Sequence, residues 1–473
     1  MRALTPPFDP VSRQARTPRV DRAARLLATL TVAVLLVSCG GGGSSAPPVA
    51  SCTVSQQQSW LRNYFADWYF WYRLSPSPDP ASYASVADYF NALVYPGGNP
   101  IPGDPLGSVW PRDRWSGYES TDSFNRFFGD GQTLGYGLSV AGLEVTGLPS
   151  QPLYVRYVEP LSPAAGASVT RGDQVISLNG RPASELIAAN DFAALTARAE
   201  GEQLVVVLRR GGVDRTVSLT ARIFALSPVP PHGIVTGPTG RKLGYVLVKD
   251  MITQARTPVR NAFAEFRANG VTDVVIDLRY NGGGLVSVAS ELAGFVGGAT
   301  DAGKVFTTLL YNDRKSSTNN VSYRFPEPAA AESVGLRRAY VLMGRRTCSA
   351  SELLINGLRG VGIDVIAIGE PSCGKPVGFL PTDQCGQTYS VVNFESVNAL
   401  SQGRYFNGFE ATCPVAENFS RGLGVAGDPL FDTALRHSAG GGCGSLSLDR
   451  ERPQMRGVRA ERAEPGERQG MMP

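Results

Sequence analysis

Histidine is scarce in this sequence, because its 473 residues include only two, His232 and His437. His232 lies in the proline-rich stretch SPVPPHG and His437 lies close to the C-terminal tail, so neither has neighbours typical of a catalytic triad. No pair of cysteines has the CxxC spacing, and no cysteine and histidine stand at the spacing of a zinc site. The sequence therefore argues against histidine-based catalysis, and we expect no metal and no cofactor.

Excess charge of one sign is also lacking outside the first 38 residues. The formal net charge is +4, and those first residues contain six arginines and two aspartates. The rest of the chain is close to neutral and has no basic segment of the kind that binds nucleic acid. We predict no nucleic-acid partner.

No apolar run is long enough for a good membrane span. The run LLATLTVAVLLVSC follows several arginines, which is typical of a secretory signal peptide over residues 1–38. Its end, LVSC, resembles the lipobox of bacterial lipoproteins, which implies lipidation of Cys39. Residues 39–54 then predict a flexible tether, and Gly40 after the cysteine favours the outer membrane, facing the periplasm. A plain signal peptide cut nearby is the alternative.

Six cysteines follow Cys39, and an even number in an exported chain predicts disulfides. Fifteen pairings of six cysteines are open, and the spacing does not choose among them. These cysteines are Cys52, Cys348, Cys373, Cys385, Cys413 and Cys443.

The remaining chain divides by composition into four segments. Residues 55–130 combine helical patterns with all five tryptophans, which predicts a helical N-terminal domain with an aromatic core. Residues 131–222 read as short strands with a hairpin at the Gly-Gly of RRGGVDRT. Residues 223–443 alternate strand and helix patterns, which predicts an α/β core with largely parallel strands. Residues 444–473 are charged and poor in apolar residues, which predicts a disordered tail.

Two stretches within residues 131–222, GYGLSV and SPAAGASVTRGDQVISLNG, resemble a PDZ domain. Such domains bind an extended peptide by strand addition, and loop N–H groups capture its terminal carboxylate. The resemblance implies substrate contacts at Gly135, Tyr136, Gly137 and Leu138. Alternatively, the glycines mark only a turn.

Three further stretches carry residues suited to catalysis. In RRTCSASELLINGL, apolar residues at helical spacing place Ser349 at a helix N-terminus, where it is either an N-cap or a nucleophile beside free N–H groups. In GEPSCGKPVGF, Lys375 is either a loop lysine or a base whose pKa burial lowers. The glycine turn of DLRYNGGG brings backbone N–H groups close to a bound phosphate or oxyanion, but it lacks the ending of a P-loop.

Together and in this order, DLRYNGGG, TCSASELL and GEPSCGKPVG behind a PDZ-like segment resemble the C-terminal processing (tail-specific) serine peptidases. The resemblance covers roughly residues 55–443. It implies a ClpP/crotonase-like α/β core with an inserted PDZ-like β-rich domain and a Ser–Lys dyad. It assigns the nucleophile to Ser349, the base to Lys375, and the oxyanion donors to the N–H groups of Ala350 and Gly283.

The sequence departs from the family pattern at three points. Gly282 replaces the usual proline of the glycine turn, and Phe379 stands where many members have a glutamine that orients the lysine. The separation of Ser349 and Lys375 is one residue longer than in the common pattern. The third catalytic group therefore stays unassigned.

We expect an exported, lipid-anchored endopeptidase that acts on unfolded or C-terminally tagged proteins. A non-catalytic peptide-binding lipoprotein on the same scaffold is the main alternative, and the missing glutamine favours it. A crotonase-like acyl transferase and a nucleophilic Cys348 are weaker alternatives.

Overall fold

The computed structural model describes residues 52–103, 107–444, 468 and 470–473. The predicted signal peptide and Cys39 lie outside these residues. Within the described ranges, no helix combines the length and the hydropathy that a membrane crossing requires.

The N-terminal region is built from aromatic residues around three helices. Thr53 begins the first helix, since its side chain accepts a hydrogen bond from Gln56 N. The elements are α1 (Val54–Trp68), α2 (Val86–Leu93), β1 (Gly117–Ser120) and α3 (Thr121–Phe128). The predicted aromatic core is present, but it also contains Val377, Tyr389 and Phe406 from the other end of the chain. The short helices of residues 55–130 therefore bury their aromatic side chains partly against a later segment of the chain.

A β-rich unit follows and has an apolar core of its own. Its elements are β2 (Gln132–Gly135), β3 (Leu138–Val140), β4 (Leu153–Val158), α4 (Pro163–Gly166), β5 (Gln174–Leu178), β6 (Arg181–Pro182), α5 (Ala183–Ala189), β7 (Gln203–Arg210), β8 (Val213–Thr220) and β9 (Arg222–Ala225). The main sheet has the order β3-β4-β5-β7-β8, which places β3 at an edge. The predicted hairpin is confirmed, because Arg210 pairs with Val213 across the two glycines.

The largest part of the chain is a mixed α/β unit. Its elements are β10 (Gly233–Thr236), β11 (Lys242–Leu247), α6 (Arg256–Ala268), β12 (Asp273–Asp277), β13 (Gly283–Leu285), α7 (Val286–Gly297), β14 (Val305–Tyr311), α8 (Ser316–Asn319), β15 (Val321–Arg324), β16 (Arg338–Met343), α9 (Ala350–Gly360), β17 (Asp364–Gly369), β18 (Val377–Gly378), β19 (Thr382–Gln384), β20 (Gln387–Ser390), β21 (Phe394–Val397), β22 (Cys413–Pro414) and α10 (Pro429–Ser438). The central sheet has the order β10-β11-β12-β16-β17-β22, and every pairing from β11 to β22 is parallel. The predicted parallel α/β core is confirmed.

The two faces of the central sheet are covered by different helices. Val274 and Ile276 of β12 belong to the cluster that includes apolar residues of α6, α7 and α9. Val275, between them in sequence, belongs to the cluster on the opposite face, which includes Leu430 and Phe431 of α10. Neighbouring residues of a strand point to opposite faces, so a strand covered on both sides has consecutive apolar residues, here Val274, Val275 and Ile276.

The end of the chain is ordered rather than disordered. Residues Gly470–Met472 form β23, which runs parallel to β13, and both methionines are buried. The prediction of a disordered tail over residues 444–473 is wrong for this end. The segment is charged on average, but its Met471 and Met472 are apolar and buried.

The six cysteines of the described chain form three disulfides, as their even number predicted. The pairs are Cys52–Cys385, Cys348–Cys373 and Cys413–Cys443. The predicted tether over residues 39–54 therefore ends earlier than expected, because Cys52 is already fixed to the α/β unit and α1 begins at Val54.

Candidate active site

Three loops meet at the carboxyl edge of the central sheet. The glycine turn Gly282–Gly284 follows β12, Ser349 follows β16, and Lys375 follows β17. These three strands are neighbours and parallel. Because the carboxyl ends of parallel strands lie at one edge, segments far apart in sequence are brought to the same place.

Ser349 has a backbone conformation that residues other than glycine rarely adopt. It directly precedes α9, with φ of 62° and ψ of −118°, and it is fully buried. Its Oγ has no hydrogen-bond partner among the described residues. Ser349 is the N-cap residue of α9 and its N–H donates to Glu352 in the manner of a capping box, so the N-cap interpretation describes its position, although its Oγ makes no side-chain capping bond. A residue held in a sparsely populated conformation costs about 1–3 kcal/mol and is typical of functional sites.

Glu352, in the first turn of α9, connects the serine loop to the lysine loop. Its Oε2 accepts hydrogen bonds from Ser349 N at 3.0 Å and from Lys375 N at 2.8 Å. Its Oε1 accepts from Gly374 N at 2.7 Å and from Ser372 Oγ at 2.6 Å. Burial raises the pKa of Glu352, and these four hydrogen bonds oppose the rise. The sequence analysis missed this residue, although a glutamate three positions after a helix-starting serine is a recognised capping pattern.

A disulfide provides the second link between the two loops. Cys348 precedes Ser349 and is bonded to Cys373, which lies two residues before Lys375. The two sulfur atoms and the Glu352 carboxylate lie within 4.8 Å of one another, close enough to hold a metal ion. Both sulfurs are consumed by the disulfide, so this cluster lacks thiolate ligands, and Cys348 has no thiol with which to act as a nucleophile.

Lys375 is buried, with 1% of its surface exposed. Burial lowers its pKa to about 7, and the negative charges of Asp113 and Glu352 oppose the shift. Its Nζ lies 4.7 Å from the centroid of the Phe379 ring, at the position where a glutamine was expected. An ammonium group over a ring face is stabilised, but the ring accepts no directional hydrogen bond that could orient a neutral amine. At neutral pH, Lys375 has a substantial neutral fraction and can accept a proton.

The two predicted oxyanion donors are close together but differ in their availability. Ala350 is the first residue of α9, so its N–H has no acceptor within the helix. Gly283 N–H, in contrast, donates to Asn281 Oδ1 at 2.8 Å. Gly283 has φ of 105°, and a Cβ atom built on it would lie within 3.0 Å of Ala350 N and Ser349 Cβ. Only glycine fits there, because any side chain would overlap the start of α9.

The four residues predicted to bind a peptide lie at the junction of β2 and β3 in the β-rich unit. Gly135 ends β2, Leu138 begins the edge strand β3, and Tyr136 is buried in the core of this unit. Gly137 has φ of 77° and lies against Ser162, where a side chain would overlap. Gly137 is thus required by the turn, and β3 has the edge position that strand addition needs.

The two histidines lie in other surroundings. His232 Nε2 is 2.9 Å from Glu265 Oε2, and His437 Nδ1 is 3.3 Å from the Tyr340 hydroxyl. Each histidine thus has its hydrogen-bond partner outside the loops that carry Ser349 and Lys375. Both placements agree with the expectation that histidine is not the base.

Comparison with known protein families identifies this arrangement. Residues 242–406 match the family model described as peptidase family S41, and residues 56–117 match the peptidase S41 N-terminal domain. Residues 242–406 are thus similar to peptidase family S41, and the segment before the β-rich unit is similar to the N-terminal domain of that family. The S41 domain is accordingly of the serine-peptidase class of hydrolases.

Curated relatives of the S41 domain are processing proteases. Carboxyl-terminal-processing peptidase 2, chloroplastic, of Arabidopsis thaliana is 27% identical over 272 residues, which are 56% of this chain and 50% of that protein. A carboxyl-terminal-processing protease of a Picosynechococcus strain is 26% identical over 268 residues, or 55% of this chain and 60% of that protein. The chain spans about half the length of the curated relatives it matches.

Among solved structures, an S41-type protease of Bacteroides fragilis shares the fold. The two structures have a TM-score of 0.61 at 23% identity, over 80% of this chain and 97% of that chain. The likeness therefore extends beyond residues 242–406.

Proposed function

We propose that the chain is a serine endopeptidase that cleaves unfolded or C-terminally tagged proteins with a Ser349–Lys375 dyad. The observation that carries this proposal is the carboxylate of Glu352, which binds the backbone N–H groups of both residues. Burying a carboxylate is unfavourable because the charge loses its hydration, and such a group can be retained because it holds its partners in one geometry. Here it fixes an unbonded serine hydroxyl and a lysine that is partly neutral at pH 7 in one buried site.

The proposed reaction proceeds through an acyl-enzyme. Lys375 Nζ takes the proton of Ser349 Oγ while the oxygen attacks the carbonyl carbon of the scissile bond. The same proton passes from Lys375 to the leaving amine as the carbon–nitrogen bond breaks. Water then hydrolyses the ester on Ser349, again with Lys375 as the base.

The oxyanion of the tetrahedral intermediate would be bound by the Ala350 N–H at the start of α9. A second donor requires a local change, because the Gly283 N–H is already bonded to Asn281 Oδ1. We propose that substrate binding turns this N–H from the amide oxygen to the oxyanion. The glycine turn can make that change since no side chain restricts it.

The β-rich unit is proposed to be a PDZ-like domain that binds the C-terminal segment of a substrate. Support comes from the edge position of β3 and from the turn through Gly135, Tyr136, Gly137 and Leu138. A peptide added to β3 would continue the sheet with backbone hydrogen bonds. The S41 domain is proposed to have a ClpP/crotonase-like core, which its parallel sheet and helix-covered faces support.

The cell envelope is the proposed location, with a lipid anchor on Cys39 in the outer membrane. The motif LVSC supports the anchor, and three disulfides agree with an oxidising compartment.

One observation favours a second function, a peptide-binding protein without catalysis. Phe379 contacts the lysine where a polar side chain would orient it. Such a protein would keep the site geometry and bind chain ends without cutting them.

Cleavage of casein distinguishes the two functions. We expect the purified protein to cut casein, and Ser349→Ala and Lys375→Ala to be inactive. Ser322→Ala and Lys242→Met are matched controls that should retain activity, because both residues are exposed and lie in the same domain. Casein cleavage that survives Ser349→Ala would refute the dyad, and an inert protein that binds C-terminal peptides would support the binding function.

A further inference from the structure

Residues Gly470–Met472 of the chain fill a slot beside the proposed dyad. On one edge, Gly470 N–H donates to Gly282 O at 3.1 Å, and the strand continues parallel to β13. On the other edge, Phe379 N–H donates to Met471 O at 3.0 Å. Backbone bonding on both edges holds an extended segment independently of its side chains, which is how strand addition captures a peptide.

The carbonyl oxygen of Gly470 lies beside the catalytic groups. A Cβ atom built on Gly283 would lie within 3.0 Å of Gly470 O, of Ala350 N and of Ser349 Cβ. These three atoms therefore surround one point above Gly283. The carbonyl at this point belongs to the bond that joins Gly470 to Met471.

The side chains on the two sides of this bond are suited to the slot. A Cβ atom on Gly470 would lie 3.2 Å from Gly284 Cα, so a larger residue is crowded there. Met471 is completely buried and belongs to the main apolar core, and Met472 is 3% exposed. The slot thus accepts a small residue before the bond and large apolar residues after it.

Arg468 fixes the approach of the tail to the slot. Its guanidinium lies 2.7 Å from Glu119 Oε2, donates to Ser123 Oγ at 2.8 Å, and stacks on the Phe127 ring at 4.5 Å. With the tail in place, Ser349 has no exposed surface. Another chain cannot reach the serine until the tail leaves.

We propose that the tail is the first substrate of the chain itself, cut between Gly470 and Met471, and that this cut vacates the part of the slot that Met471 and Met472 fill. The inference rests on the proposed Ser349–Lys375 chemistry. A bond forms between Ser349 Oγ and the Gly470 carbonyl carbon, the Gly470–Met471 amide bond breaks, and the serine proton reaches the Met471 amine through Lys375. Water hydrolyses the ester, which leaves a carboxylate on Gly470 and restores the serine.

Intact-mass measurement of the full chain tests the proposal. We expect the wild-type protein to lose the segment that begins at Met471, and Ser349→Ala to retain it. Gly470→Val crowds Gly284 and should slow the cut at least tenfold, whereas Val213→Ala on the exposed hairpin should not. The rate should be independent of protein concentration, because the tail of each chain occupies its own site.

Casein cleavage, measured in parallel, separates the two proposals. Wild-type protein that cuts casein and keeps its tail would overturn self-cleavage and leave the proposed function intact. A tail lost equally from Ser349→Ala would overturn it in favour of another protease. Protein that cuts neither casein nor its tail would overturn both proposals, and casein cleavage with a cut at a different bond would overturn the assignment to Gly470.

Discussion

The proposed reaction requires Lys375 in its neutral form, so the rate should follow the deprotonation of this one group. Burial lowers the pKa of Lys375 to about 7 from 10.5. At pH 7 about half of the molecules then hold a neutral lysine, whereas a lysine with the ordinary pKa would be neutral in about one molecule in three thousand. Burial therefore raises the concentration of the active base roughly a thousandfold at neutral pH.

The assay is kcat/KM for a fluorogenic peptide across a range from about pH 5 to about pH 9.5, since this ratio reports the titration of the free enzyme. We expect kcat/KM to rise tenfold per pH unit below about pH 7 and to level above it. At pH 5 the value should be about a hundredfold below the plateau. Protein freed of its tail must be used throughout, so that tail release does not limit the rate.

Two variants show whether the inflection belongs to Lys375. Lys375→Arg should be inactive at every pH, because a guanidinium does not lose its proton in a protein. Phe379→Leu removes a ring that stabilises the ammonium form, so the inflection should move to lower pH. An inflection near pH 10, or one that stays in place in Phe379→Leu and persists in Lys375→Arg, would refute the assignment of the base.

Four further predictions concern the same site. Glu352→Gln replaces one of the two accepting oxygens by a donating NH2 group, so two of the four hydrogen bonds are lost, which should lower kcat/KM about a hundredfold and the unfolding free energy by about 2 kcal/mol, measured by kinetics and urea titration. Replacing Cys348 and Cys373 together by alanine should cost about 3 kcal/mol in urea titration, and a reductant should then slow only the wild type. Gly283→Ala should reduce casein cleavage at least a hundredfold, because its Cβ overlaps the start of α9. Between about pH 7 and 10.5, Lys375 is protonated in the unfolded chain and largely neutral in the folded chain. The free energy of unfolding should therefore rise with pH across that window. Lys375→Met should remove this rise and stabilise the protein at pH 7 by about 1–3 kcal/mol, measured by calorimetry.

The sequence predicted the parts of the fold that local pattern controls. The three consecutive apolar residues of DVVID predict a strand buried on both faces. The apolar residues after Ser349 recur at helical spacing and predict α9. Parallel strands in an α/β unit then require their carboxyl ends to meet, which brings Ser349, Lys375 and Gly283 together without any knowledge of coordinates. The aromatic core of residues 55–130 could be predicted only in part, because the sequence pattern indicates a core but not which distant residues complete it.

The sequence does not show which contacts hold Ser349 and Lys375 in their unfavourable conformation and environment. A serine at positive φ and a lysine without exposed surface are each unfavourable, by about 1–3 kcal/mol for the backbone alone. Glu352 holds both segments in place, because one carboxylate accepts the backbone N–H of each residue, and its four donors partly offset the cost of its own burial. The contact with Ser349 spans three residues and fits a local capping pattern, whereas the contacts of Glu352 with Ser372, Gly374 and Lys375 span 20, 22 and 23 residues, so no local pattern reveals the link between the two loops. A strained serine and a buried lysine are held in such a fold by one rigid element, the first turn of α9, which carries the carboxylate that binds the N–H groups of both.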